Sequence, residues 1–263
     1  MYHPFSIGET VKGAWNILKK NFVPLVVYSA ISLFINEFFQ FLNIFIFVGD
    51  DKVTVLSTFF LQLVIQSFLA LSFYKLIITL MDKEYYEFEF KEIVPSFRMT
   101  LNFILIALGY GLLIALLLFI NLVIEHNIAE YDTILMIFRI VESCLILYLL
   151  LRSIFCACFI VDDNSSPFES LKQSFEATKD NFFKTLAVFL IIVGVAVAGV
   201  LVIYIIEDIF RINEENNPYL TKLLFYFWVI FAFPVIQVLI IVTYRRLVYS
   251  HKDVDDEDFL ETN

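Results

Sequence analysis

Polar and turn-forming residues divide the chain into six long apolar segments, at about 22–48, 53–81, 101–124, 133–161, 183–206 and 222–248. Crossing a hydrocarbon layer about 30 Å thick takes roughly 20 apolar residues at 1.5 Å per helical residue, so each segment is long enough to span. The first, second, fourth and sixth reach about 27 residues or more. Such surplus predicts tilt, a kink or an interfacial end, and Pro234 marks the sixth as the kink candidate. The pattern predicts an all-α fold, a polytopic membrane protein with six transmembrane helices.

The connecting segments carry a different pattern. At an offset of 160, Ser6, Glu9, Lys12, Lys19, Asn21 and Phe22 recur as Ser166, Glu169, Lys172, Lys179, Asn181 and Phe182. That density of identity marks an internal repeat. A weaker copy sits midway, at Ile93, Ser96, Phe97, Asn102 and Phe103. Ser6 with Glu9 and Ser166 with Glu169 fit the capping box, in which the serine oxygen accepts an orphan amide and the glutamate reaches back to the cap. Pro167 suits a first helical turn. Beyond the caps, Ile7, Val11, Ala14, Trp15, Leu18 and Phe22 share one helical face, as do Phe168, Leu171, Phe175, Thr178 and Phe182. Lys and Glu occupy the opposite faces. A helix that is aromatic on one side and charged on the other suits the headgroup plane, with Trp15, Phe22, Phe175 and Phe182 as interfacial anchors.

The expected unit is thus one interfacial amphipathic helix followed by two crossings, used three times, at about 5–82, 83–161 and 162–250. Two crossings per unit give every unit the same orientation, which makes the repeats parallel and a pseudo-threefold bundle the geometric expectation. Residues 1–252 form a single membrane domain in this reading. The tail 253–263 is acidic and expected to be disordered. Aromatic Tyr85, Tyr86, Phe88 and Phe90 in the central connection read as an interfacial belt.

The phrase Ser-Pro-Phe-Glu-Ser-Leu-Lys-Gln-Ser-Phe at 166–175, followed by Asn181, Phe182 and an apolar span, resembles the membrane domain attached to some bacterial glycerophosphodiester phosphodiesterases. It is similar also to that domain's stand-alone multi-pass relatives, and the likeness covers most of the chain. The resemblance implies a six-helix domain of the bacterial plasma membrane and supplies no catalytic residues. No soluble stretch in the sequence is long enough to hold the phosphodiesterase barrel.

Composition agrees with the bilayer as solvent: 60% of the 263 residues are hydrophobic and 17% charged, against roughly 45–50% and 25% in soluble domains. The net charge of −10 is concentrated in the tail. Fourteen of the eighteen Lys and Arg flank the segments on one side, Lys52, Arg211 and Lys222 lie on the other, and Arg139 falls within a span. Cytoplasmic flanks carry that excess, so both termini are expected in the cytoplasm, in keeping with an even number of crossings. No cleavable signal is expected at the start, because the first apolar segment lacks a small-residue cleavage site. Cys144, Cys156 and Cys158 sit in one apolar segment and read as small hydrophobes.

Polar groups inside spans are costly, which makes them the candidate functional residues. They are Asn36, Glu37, Gln40 and Asn43 in the first span, Gln62 and Gln66, with Thr58, in the second, and Arg139 and Glu142 in the fourth. The last two are three apart and able to pair along their helix. As a shared intramembrane cluster they would form a substrate or ion site, with Glu37 as coupling carboxylate and Arg139–Glu142 as gate or counter-charge. As interhelical contacts they would hold the bundle together at roughly 0.6 kcal/mol each. Arg139 could also snorkel to the boundary. Small residues at Ala107, Gly111 and Ala115, and at Gly194 and Ala198, predict close helix contacts.

Signatures of soluble enzymes are missing: there is no H-E-x-x-H, G-x-S-x-G, P-loop or Gly-rich dinucleotide turn, and His3, His126 and His251 lie in separate segments. Neither a cofactor nor a metal is expected. The leading expectation is a non-enzymatic membrane protein that organises lipid or partner proteins, and the alternative is a transporter or channel for a small solute. An intramembrane enzyme ranks third. The expected partners are the lipid bilayer and a membrane-protein partner or second copy of the chain, not nucleic acid.

Overall fold

The computed structural model describes residues 6–46, 52–83, 89–128, 132–210 and 217–249, and every element among them is a helix. In chain order these are α1 (Ile7–Lys20), α2 (Phe22–Ile46), α3 (Lys52–Asp82), α4 (Phe90–Ile93), α5 (Phe97–Ile128), α6 (Asp132–Arg152), α7 (Cys156–Asp162), α8 (Pro167–Lys179), α9 (Phe182–Phe210) and α10 (Pro218–Val248). Six spans in this series are long and apolar enough to cross a membrane. They coincide with the six apolar segments of the sequence, with one difference. The fourth is divided at residues 153–155 into α6 and α7. Pro234 lies inside α10, which continues through it. The acidic tail and the aromatic run at 85–88 fall outside the described residues.

The chain separates into two compact units, one made of Met1–Pro95 with Asn181–Asn263, the other of Ser96–Asp180. In the first, α10 packs on α1, α2, α3 and α9. Its core is aromatic: Phe73 of α3 stacks on Tyr28 of α2 and on Phe233 of α10, each at 5.0 Å between ring centroids. Leu25, Ile77, Ile241 and Tyr244 of the same helices are fully buried. Val53, Leu56, Phe59 and Val64, toward the other end of α3, are exposed. Lipid tails are as apolar as leucine, so in a bilayer such exposure carries no hydrophobic penalty.

Helix α9 packs chiefly on α10, and its buried residues Thr185, Val188, Ile192 and Gly199 are spaced to fall on one face. The indole of Trp228 occupies the space that a Cβ at Gly199 would need. The close contact foreseen at Gly194 and Ala198 is therefore made one residue further on, and those two are exposed. Gly111 and Ala115 of α5 are likewise exposed.

Helices α1 and α8 dock by faces made mostly of small residues. Helix α1 buries Thr10, Ala14 and Leu18, and its principal neighbour is α10. Helix α8 buries Ser170, Ser174 and Thr178, the same three positions at the offset of 160, against α5, α6 and α7. Of the middle copy, Ile93 ends a single turn, α4, packed on α3, while Phe97, Asn102 and Phe103 belong to α5. Val94 stands extended before Pro95 (φ −78°, ψ 120°), as expected of a residue whose helical conformation the proline ring obstructs. Among the described residues, then, the three short helices have 14, 4 and 13 residues. The sequence repeat groups α8 with the spans that follow it, whereas its contacts are with the spans that precede it. Helix α4 also docks backwards, on α3, and α1 docks chiefly on α10.

In the second unit, Ser174 of α8 bridges the break between α6 and α7. Its hydroxyl donates to the Arg152 carbonyl at 2.7 Å and accepts from the Phe155 amide at 3.2 Å. One side chain thus satisfies an orphan carbonyl at the end of α6 and an orphan amide at the start of α7. Ser153 bonds back to the Leu149 carbonyl at 2.9 Å, within the last turn of α6. The connection from α7 to α8 turns at Asn164, whose φ of 54° is left-handed, a conformation asparagine tolerates better than most residues. Asn102 of α5 anchors this turn by donating to the Ser165 carbonyl at 3.0 Å.

Candidate functional site

The polar residues within the spans resolve into local pairs. Asn36 donates to the Ser32 carbonyl at 3.1 Å and its oxygen accepts from Gln62 at 3.2 Å, joining α2 to α3. Glu37, next along α2, turns to α10 and pairs with Lys222 at 2.9 Å. The Lys222 ammonium also sits 5.1 Å from the Tyr226 ring one turn later. Gln40 and Gln66 are exposed. The side chain of Asn43 lies outside the described residues.

Arg139 and Glu142 do not pair with each other. Arg139 reaches Glu125 at 3.8 Å, and Glu142 accepts from Asn121 at 2.5 Å. Both contacts run from α6 to α5, where Asn121 and Glu125 are four apart and share a face. A partner on the facing helix was available to each residue, which is why the intrahelical pair is not used. The polar residues of α2 and α3 belong to the first compact unit and those of α6 to the second. Sequence reading missed Lys222, Tyr226, Asn121 and Glu125, although their spacing by four at the ends of apolar runs was the available signal.

The interfacial anchors divide by exposure. Trp15 is 53% exposed and Phe22 is exposed as well, while Phe175 and Phe182 are half-buried. Lys19 lies 5.3 Å from the Trp15 ring, and the Arg152 guanidinium lies 5.0 Å from the Phe175 ring, both within cation–π range. Phe168, at the start of α8, is 81% exposed. On α1 and α8 the small residues are turned to the protein and the aromatic ones lean outward. The anticipated single apolar face is in fact two adjacent faces.

The two capping boxes also differ. At α8 the box is complete: Ser166 accepts from the Glu169 amide, and Glu169 accepts from the Ser166 amide at 3.4 Å. At α1, Ser6 occupies the cap position without a side-chain cap bond. Glu9 instead pairs with Arg246 of α10 at 3.1 Å. A charge-assisted contact outcompetes the reciprocal bond to a backbone amide.

No curated protein and no solved structure matches the chain. A family model, the membrane domain of glycerophosphoryl diester phosphodiesterase, matches residues 122–261, more than half of the sequence. With six spans of crossing length, this makes the protein a multi-pass membrane protein. The matched stretch contains α6 to α10 and the Ser-Pro-Phe-Glu phrase on which the resemblance was noted. The chain belongs to the family of the glycerophosphoryl diester phosphodiesterase membrane domain.

Proposed function

We propose that the protein is a non-enzymatic component of the bacterial plasma membrane that organises lipid or a membrane partner through helices lying along its cytoplasmic face. The observation that carries this reading is the two-faced burial of α1 and α8. Thr10 and Ser170 are fully buried, whereas Trp15 and Phe168 on the same helices are exposed. Exposed aromatic rings beside Lys12, Lys19, Lys172 and Lys179 are what a headgroup layer accommodates, with the rings at the apolar boundary and the ammonium groups in water.

Depth measurement tests it. The chain has two tryptophans, so Trp228→Phe leaves Trp15 as sole reporter. In vesicles, lipids brominated near the glycerol should quench Trp15 more strongly than lipids brominated near the chain methyl. No quenching by either, or stronger quenching from the deep bromines, would refute a surface-lying α1.

Transport is the second reading. It is favoured by a pocket of about 620 Å³ between α9 and α10, where Lys222 lies beside Glu207 and Thr221. The Glu207 Oε1 and Thr221 Oγ1 atoms there are buried without a partner among the described residues. In proteoliposomes, flux of ions or small solutes above that of protein-free vesicles, lost in Glu37→Gln, would support this reading. Flux equal to that of protein-free vesicles would remove it.

A further inference from the structure

A groove of about 760 Å³ runs between α5, the end of α6 and α8, within the size range of sites for small organic ligands. Leu105, Ile106, Leu113, Leu149 and Leu171 form its apolar wall. From Leu105 to Leu113 it follows α5 for about 12 Å, at 1.5 Å per residue. Its rim is basic: Arg152, Lys172 and Lys179 stand against Glu176 alone. Lys172 is 3.9 Å from Glu176, and among the described residues neither Arg152 nor Lys179 forms a salt bridge.

Arg152 is the distinctive member. It closes the last turn of α6, its guanidinium lies over Phe175 at 5.0 Å, and its Nε is buried without a hydrogen-bond partner among the described residues. Near the end of α10, by contrast, Arg246 is neutralised by Glu9. The corresponding glutamate of α8, Glu169, is committed to its capping box. A planar guanidinium presents a fork of donors suited to phosphate oxygens.

The geometry points to an anionic glycerophospholipid as the occupant, its phosphate at Arg152 and Lys179 and one acyl chain lying along α5 between Leu105 and Leu113. Charge complementarity selects the headgroup, and the apolar wall selects a lipid over a free phosphate ester. The inference rests on the proposed placement of α8 at headgroup level. Gly109 lines the groove, and a Cβ built on it meets nothing within 4 Å. A larger side chain there enters the groove without displacing protein.

The test uses the full chain in vesicles with Trp15→Phe, Trp228→Phe and Phe168→Trp, which puts the only indole at the mouth of the groove. Quenching by brominated phosphatidylglycerol is compared with quenching by brominated phosphatidylcholine. The expected preference for the anionic lipid is at least about five-fold, the scale of one basic contact at a membrane surface. It should fall to about one in Arg152→Gln with Lys179→Gln. Gly109→Leu should lower quenching by both lipids while thermal stability is kept. The Trp15 reporter on α1, where Arg246 is neutralised and Lys12 and Lys19 remain, should show a smaller preference. Equal quenching by the two lipids at position 168 overturns the lipid site but leaves the surface placement of α8 standing. A preference of equal size at positions 15 and 168 overturns it as well, because any basic flank would then suffice. Absence of quenching by either lipid at position 168 refutes the surface placement itself.

Discussion

Ser174 shows how much of this fold depends on one hydroxyl. A backbone break inside an apolar span leaves polar groups that hydrocarbon cannot satisfy, and Ser174 answers one on each side of the gap. Replacing it by alanine strands a carbonyl and an amide, at about 1–3 kcal/mol for a buried unsatisfied group. Ser174→Ala should lower the thermal unfolding temperature in detergent, whereas Ser143→Ala, which removes a hydroxyl exposed and bonded to its own helix, should leave it unchanged. Equal unfolding temperatures for Ser174→Ala and the parent would mean that the break is held by other contacts. Glu9 and Glu169 carry a second lesson at this scale. Identical in the repeat, they differ in structure because an arginine reaches only the first, and a capping box read from sequence has no knowledge of a distant cation.

At the scale of elements, the spans were legible and the way the short helices dock was not. Bilayer-length apolar runs are local in sequence, so all six appear at nearly the expected bounds. The division of the fourth span left little trace, since residues 153–155, Ser-Ile-Phe, contain neither Gly nor Pro. The docking faces of α1 and α8 were misread for a physical reason. A period of 3.6 identifies the apolar side of a helix but not the solvent opposite it, and in a membrane the aromatic side can turn to lipid while Thr10, Ser170 and Ser174 turn inward. Among the candidate polar residues, Asn36 meets Gln62 across helices, and the partners of Glu37, Arg139 and Glu142 are Lys222, Glu125 and Asn121 on other helices. Pairing across helices is decided by tertiary contact, which spacing along one helix does not encode.

At the scale of the whole molecule, the distribution of charge predicts that both ends of the chain face the cytoplasm, since the spans are even in number and the basic flanks gather on one side. Reporter fusions at the two ends should both register the cytoplasmic compartment, and opposite readings would break the three-unit arrangement. The docking order adds something that topology alone does not. Helices α4 and α8 find the spans they rest on already synthesised, but α1 rests chiefly on α10, the last span to be translated. At roughly 5–20 residues per second the ribosome needs on the order of ten to fifty seconds to travel from one to the other. Throughout that interval Thr10, Ala14 and Leu18 lack the greater part of the surface that receives them, so α1 reaches its final packing only after α10 has emerged.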